Sequence, residues 1–475
     1  MSLVRVFLLL GVCLTMKVFA QKPFSQDLFV EISKKDPRYL AFSDGRTFMP
    51  VGANICFPRG ITEENEVLKY YARYFEEMAA NGGNFTRIWL SVPVFEVEHE
   101  KAGSYDLKIA ERIDAVLALA RKHQIKVKFC LEHFRKITNS PAPFPSSVPF
   151  DRPVYDGKIA TMDAFFLTAT GKKCYLDRVD FLAKRYANNP TVFGWELWNE
   201  INSVNVKEKE ALLQWTREML AEVKKRFPRQ LVMQSLGSFD HEPATEMYRR
   251  YTELPQNQLA QVHRYLDMGA KLPVCQAPMD ELSSDAVLTL KGFNAGKPVI
   301  LSEVGGVEPN HAGPSKLYEK DTLGTLLHDM LFAPFFAGAA APGQSWHWDY
   351  YIEKHRLWWH FARFNEALSG FDPIAEKAHS LLKKLPDNLK MYGLEGQKTT
   401  LLWIRDGNVH WKTELAEGQS ARMVSGQKLR IPLKNVRKVS FYDVWKNRWT
   451  KGKISPDGTL ELPAFSRSLI VKLEK

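Results

Sequence analysis

Between about residue 48 and 346 the chain alternates short apolar runs with longer amphipathic ones, a pattern that restricts it to parallel βα units. The strand-like runs are Phe48 to Ala53, Phe85 to Leu90, Ile125 to Leu131, Val192 to Trp198, Leu231 to Leu236, Leu259 to Tyr265, Val299 to Glu303 and Phe335 to Ala341. Eight repeats over roughly 300 residues predict an α/β fold, a (β/α)8 TIM barrel, whose site lies at the carboxyl ends of the strands. The intervening helices carry their own signals. Asp106 caps one whose Ile109, Ile113, Val116, Leu117 and Ala120 share a face, and Gly82-Gly83 ends another that opens with Glu63 and Glu64 after Thr62.

At 475 residues the chain exceeds one ordinary core, so a second unit is expected. Phe29 to Pro50 reads as a hairpin turning at Ser43-Asp44-Gly45 and closing the bottom of the barrel. From about Pro386 helical spacing gives way to short alternating strands, such as Thr400 to Ile404, Val439 to Tyr442, Thr459 to Leu462 and Ser468 to Leu473. With turns at Asp406-Gly407 and Asp457-Gly458, this predicts a small antiparallel β-sandwich. The expected division is thus 1–20, 21–385 and 386–475. The connections Phe134 to Lys173, Asp267 to Met279 and Glu308 to Pro314 lie on the side of the strand ends and are candidate cleft walls.

Two of the strand-like runs end in glutamate: Gly194-Trp195-Glu196-Leu197-Trp198-Asn199-Glu200 and Val299-Ile300-Leu301-Ser302-Glu303. One such glutamate is ordinarily a solvated strand terminus. Two of them, brought to the same end of a barrel, are what cleavage of a sugar–oxygen bond requires. Alternation groups Gly194, Glu196, Trp198 and Glu200 on one side, and Val299, Leu301 and Glu303 on another. The Trp- and Asn-rich surroundings of Glu200 suit a pyranose, which offers hydroxyls to polar groups and C–H faces to indoles.

The first twenty residues read as a secretory leader: Arg5, an apolar Val6 to Leu14, and Val18-Phe19-Ala20 before a cut after Ala20. A lipoprotein site at Cys13 is disfavoured by the bulk of Val12. The expected compartment is secreted or periplasmic, without membrane insertion. Cys56, Cys130, Cys174 and Cys275 are too widely spaced for a zinc site, while an oxidising compartment permits one or two disulfides. The net charge of +11 comes from Lys and Arg scattered among acidic residues, which argues against a nucleic-acid groove.

The ordered set Asp44-Gly45, Val51-Gly52-Ala53-Asn54, Asn84-Phe85-Thr86-Arg87-Ile88-Trp89, the Trp-Glu-Leu-Trp-Asn-Glu run, His263-Arg264-Tyr265, Glu303 and a late tryptophan resembles clan A retaining glycoside hydrolases, closest to the family 5 type of cellulases and β-mannanases. The resemblance spans about residues 44 to 348 and does not extend to the carboxy-terminal unit. It implies double displacement on a β-linked glycan, β-mannan or β-glucan first, with Glu303 as nucleophile and Glu200 as acid/base. It implies further that Arg87 and Tyr265 keep Glu303 ionised, that His263 belongs to the site, that Asn199 meets the sugar 2-hydroxyl, and that Trp346 or Trp348 floors the reacting subsite. His133 ends the third strand where related enzymes carry a histidine, although its parity leaves Lys126 and Lys128 facing the helices. Glu196 reads as an internal barrel group. No cofactor or metal is expected, and a monomer or small homo-oligomer is. The alternatives are a transglycosidase using the same intermediate and a non-catalytic glycan-binding barrel.

Overall fold

The computed structural model describes residues 27–137, 150–152, 155, 159–430 and 435–475. The leader expected at residues 1–20 and the proline-rich Pro141 to Pro145 lie outside the described residues. The parallel strands are β1 (Gly52–Ala53), β2 (Phe85–Trp89), β3 (Lys126–Cys130), β4 (Val192–Glu196), β5 (Leu231–Met233), β6 (Ala260–Leu266) and β7 (Val299–Gly306). β1 to β5 pair in sequence order, and β6 pairs with β7. Ser345 bridges both Ala53 and Val304, tying β7 to β1. Between β5 and β6 side chains supplement the backbone: Gln258 N–H donates to Val232 O at 3.2 Å, while Val232 N–H donates to Gln258 Oε1 at 2.9 Å and Gln234 N–H to Asn257 Oδ1 at 3.1 Å. Helices α1 (Glu64–Ala80), α2 (Leu107–Lys122), α3 (Ala169–Tyr186), α4 (Lys209–Arg226), α5 (Ala244–Glu253), α6 (Met279–Gly292) and α7 (Thr325–Phe336) intervene. Asp106 caps α2 as expected, accepting from the Lys108 and Ile109 amides.

The eighth strand is not where the apolar run suggests. Phe335 and Phe336 close α7, and the strand position is reduced to the bridging Ser345. Every residue of α7 is buried, so it lacks the polar stripe that marks a helix in sequence. The cause is a six-stranded antiparallel sheet laid over it, ordered His379–Lys384, Leu389–Glu395, Thr399–Asp406, Ser468–Glu474, Lys438–Asp443 and Arg448–Gly452. One face of that sheet, with Leu402, Ile404, Phe441 and Val471, makes its own core. The other sends Tyr392, Leu401, Trp403 and Ile470 into the main core, where Trp403 meets Phe332 of α7 with ring centroids 5.6 Å apart.

Polar pairs lock this seam. Arg405 forks onto Asp329 of α7 with both bonds at 2.8 Å, and Lys390 reaches Asp280 of α6 at 2.8 Å. Removing one member of a buried pair strands the other charge, so Arg405→Met should destabilise the protein by about 3–5 kcal/mol. A shift of less than 1 kcal/mol in urea unfolding, on the order of an exposed pair, would show the seam to be unimportant.

The opposite end of the strands is sealed by the amino-terminal segment. Val30–Ile32, Leu40–Phe42 and Thr47–Phe48 form a small antiparallel sheet turning at Gly45, whose φ of +87° suits glycine. Its Leu40, Phe42 and Phe48 pack on Phe85, Phe193, Leu231 and Ile300, which begin four of the parallel strands. Cys56, Cys130, Cys174 and Cys275 are all buried thiols, so no disulfide forms among them. Among the described residues no helix is long and apolar enough to cross a membrane.

Candidate active site

Arg87 projects from the middle of β2 and is fully buried. A guanidinium there must be matched by carboxylates, and its fork supplies three partners: Glu303, Glu196 Oε1 at 2.6 Å and Asn199 Oδ1 at 2.7 Å. Glu303 also accepts from the Tyr265 hydroxyl at 2.6 Å. Burial pushes the Glu303 carboxyl above its ordinary value, and Arg87 and Tyr265 oppose that rise.

Glu303 owes its direction to a bulge. The β6–β7 register passes from Val262↔Leu301 to His263↔Glu303, leaving Ser302 unmatched. Simple alternation, which grouped Val299, Leu301 and Glu303, therefore fails. Ile300 joins the amino-terminal hairpin core at the starts of the strands, while Glu303 is held at the site by Arg87 and Tyr265. Asn54 pins the bulge, donating to Ser302 O and Gln344 O at 3.0 Å each.

Glu200 follows β4 in the left-handed region, with φ of +50° and ψ of +56°, a conformation costly for a non-glycine residue. Its amide donates to Ser235 Oγ at 3.2 Å. One carboxylate oxygen lies 2.8 Å from His263 Nδ1, which is 3.4 Å from Glu303 Oε2. Burial holds His263 well below the ordinary histidine value, hence neutral. Glu200 is raised well above the carboxylate range, first by burial and then by the charge of Glu303. The proton of the pair therefore sits on Glu200, the member that Arg87 does not grip.

Side-chain donor atoms of Glu200, His263 and Glu303 all lie within 4.8 Å of one another. Carboxylates this close match the retaining spacing of about 5–5.5 Å rather than the wider gap, about 6.5–9.5 Å, that admits a water. The same trio could converge on a cation, but Arg87 already places a fixed positive charge on Glu303, which disfavours one.

The remaining expected residues fall into three settings. Asn199, His263 and Tyr265 sit at Arg87 and the carboxylates, and His133 and Trp346 belong to an aromatic wall around Trp89, whose ring lies 5.7 Å from the Arg87 guanidinium. His133 stacks on Trp89 at 4.9 Å and bonds Ser91 Oγ at 2.5 Å, while Trp346 lies 5.2 Å from Trp89. Trp348 is fully buried, its indole N–H on the Tyr70 hydroxyl at 2.6 Å, so it packs in the core. Trp346→Ala should raise KM at nearly unchanged stability, whereas Trp348→Ala should cost about 3–5 kcal/mol of folding free energy. The reverse pattern in paired kinetics and thermal melts would exchange their roles. Trp195 and Trp198 are also fully buried, the first stacked on Phe227 at 4.1 Å and the second 5.2 Å from Phe166, so neither grips a sugar.

Sequence reasoning missed two features. Lys128 faces away from the helix layer, 3.0 Å from Glu196 Oε2, because the positions of β3 that pack into the main core are the apolar Val127 and Phe129. His311, at φ of +59°, sets its Nε2 3.6 Å from Asp267 and 3.9 Å from Asp240, with its ring 5.2 Å from that of Tyr265. These three come from the loops after β7, β6 and β5, and no local pattern joins them.

Comparison with known proteins follows the same lines. A family model described as Cellulase (glycosyl hydrolase family 5) matches residues 62–330. A mannan endo-1,4-beta-mannosidase of Oryza sativa subsp. japonica is 29% identical over 206 residues, 41% of this chain and 43% of that protein. One of Arabidopsis thaliana is 22% identical over 375 residues, covering 73% of this chain and 81% of that protein. The chain thus matches less than half the length of the rice relative. Among solved structures, a glycoside hydrolase family 5 protein from Bacteroides vulgatus gives a TM-score of 0.60 at 13% identity, covering 94% of this chain and 93% of that one. An endo-1,4-beta-mannanase from Rhizomucor miehei gives 0.50 at 15%, covering 67% and 90%. These structural likenesses concern the fold alone. The family model covers more than half of the residues and includes both site glutamates, and the chain belongs to glycosyl hydrolase family 5.

Proposed function

We propose that this glycoside hydrolase cleaves a β-1,4-linked mannan with retention, using Glu303 as nucleophile and Glu200 as acid/base within a (β/α)8 barrel. The observation that carries the reading is the asymmetry of two adjoining carboxyls. Arg87 and Tyr265 hold Glu303, while Glu200 sits against a neutral imidazole with its proton retained. Mannan is favoured over glucan by the names of the rice and Arabidopsis relatives. We further propose that the protein is exported, with its leader cut after Ala20.

In the first step a Glu303 oxygen bonds to the anomeric carbon, the C1–O bond breaks, and the Glu200 proton passes to the departing oxygen. Ester formation removes the Glu303 charge, the neighbour whose repulsion helps keep Glu200 protonated. Having given up its proton, Glu200 stays ionised without that repulsion and serves as base, taking a proton from the water that attacks C1. As water adds from the opposite face the C1–O bond to the Glu303 ester breaks, freeing the carboxylate, and the two inversions at C1 leave its configuration unchanged. Asn199 has its Oδ1 tied to Arg87, which leaves its amide N–H groups for the 2-hydroxyl.

Chromatography of products from mannan, glucan, xylan and galactan oligosaccharides tests the proposal. Release from mannan alone is the expected result, with mixed oligomers for internal attack or mannose for terminal attack. Preferential release from glucan would move the substrate to the class named by the matched family model. Products longer than the donor would mark a transglycosidase.

A further inference from the structure

Beneath the two site carboxyls lies a second layer of charge that the reaction scheme does not use. In the parallel ladder Arg87 of β2 is the direct partner of Lys128 of β3, two cations side by side in the barrel interior. Like charges so placed repel, and burial makes each costly. Glu196 of β4 stands between them, taking Arg87 on Oε1 at 2.6 Å and Lys128 on Oε2 at 3.0 Å. The Lys128 ammonium also donates to Gln261 Oε1 at 2.6 Å, and it is 3% exposed. The Ser235 hydroxyl donates to Glu196 as well, and the same residue accepts the amide of Glu200.

Such an interior pair adds little to stability, because matched apolar residues do as well or better. What it supplies is fixed charge. With Glu200 protonated and His263 neutral, the ion pairs of this layer among the described residues join Arg87 and Lys128 to Glu196 and Glu303. Without Lys128, the single Arg87 charge would answer two carboxylates.

We propose that Lys128 is a positioning residue for the hydrolysis: its ammonium neutralises Glu196, so that the charge of Arg87 is left to Glu303. The inference rests on the proposed roles of Glu303 and Glu200. It assigns a task to a side chain that touches neither the substrate nor either site carboxyl, and it makes Glu196 the intermediary. The other titratable groups facing this layer do not supply the same charge. His263 is held neutral by burial, Tyr265 keeps its proton beside Glu303, and burial raises the Cys56 and Cys130 thiols well above their ordinary value.

The test is the pH profile of kcat/KM on the oligosaccharide that the wild type cleaves, for Lys128→Met, Glu196→Gln and the double variant. Lys128→Met removes a positive charge and should raise the acid limb by about one pH unit, the lower end of the effect of one close charge. Glu196→Gln removes a negative charge and should lower that limb by a similar amount. The double variant removes both and should return it to the wild-type position. Mere structural damage lowers kcat without moving the limb in opposite directions. If Lys128→Met fails to fold, the downward shift in Glu196→Gln and its reversal in the double variant carry the same information. An acid limb that stays fixed in Glu196→Gln, or that moves the same way in both single variants, overturns the proposal. Glu303→Gln serves as the control: turnover retained there would instead sink the assignment of the nucleophile.

Discussion

Glu303→Gln is expected to lower kcat by about 10⁴-fold or more, the scale seen when the nucleophile of a covalent mechanism is removed. Glutamine keeps the shape and still accepts from Tyr265, but it cannot form the glycosyl ester. The substitution leaves Arg87 with Glu196 and Asn199, so the guanidinium is not stranded and the fold should survive. Circular dichroism matching wild type, together with loss of product release, is the anticipated pair of results. Substantial turnover in a folded Glu303→Gln protein would remove the double-displacement scheme.

Glu200→Ala should produce the second largest effect, about 10²–10⁴-fold on natural oligosaccharides, the usual worth of a positioned general acid–base. An aryl glycoside with a good leaving group needs little protonation, so its first step should persist while the ester accumulates. Azide can then fill the space left by the side chain and attack C1 without a base. Rescue that yields a glycosyl azide of retained configuration assigns the acid/base to Glu200. Azide with no effect, or a product of inverted configuration, would count against the assignment.

Much of this site is legible in the sequence because its carboxylates end hydrophobic runs and its arginine and tyrosine lie on strand-like segments. Period-two reasoning then breaks down at identifiable places. At Ser302 a bulge reverses parity, which alternation cannot register. After Glu196 the strand ends, so Trp198 turns to Phe166 and Trp215 in the helix layer instead of following Glu196 inward. On β3 the usual expectation of polar outside and apolar inside is inverted, since the outer strand face packs against helices and the inner face holds the ion layer. The mistaken strand at Phe335 to Ala341 has a different origin. An α-helix buried on every side loses the 3.6-residue signature, and the sheet covering α7 explains why such a helix is tolerated.

That covering sheet also governs what can be cut from the protein. Trp403, Leu401 and Ile470 belong to the same core as Phe332 and Phe336, and the Arg405–Asp329 fork crosses the seam. Deleting the chain from His379 onward would bare one whole side of α7 to water, a contiguous apolar surface of the kind that drives aggregation. The carboxy-terminal strands act as part of the catalytic body, so the smallest piece expected to stay in solution includes them, and heating should melt both parts together.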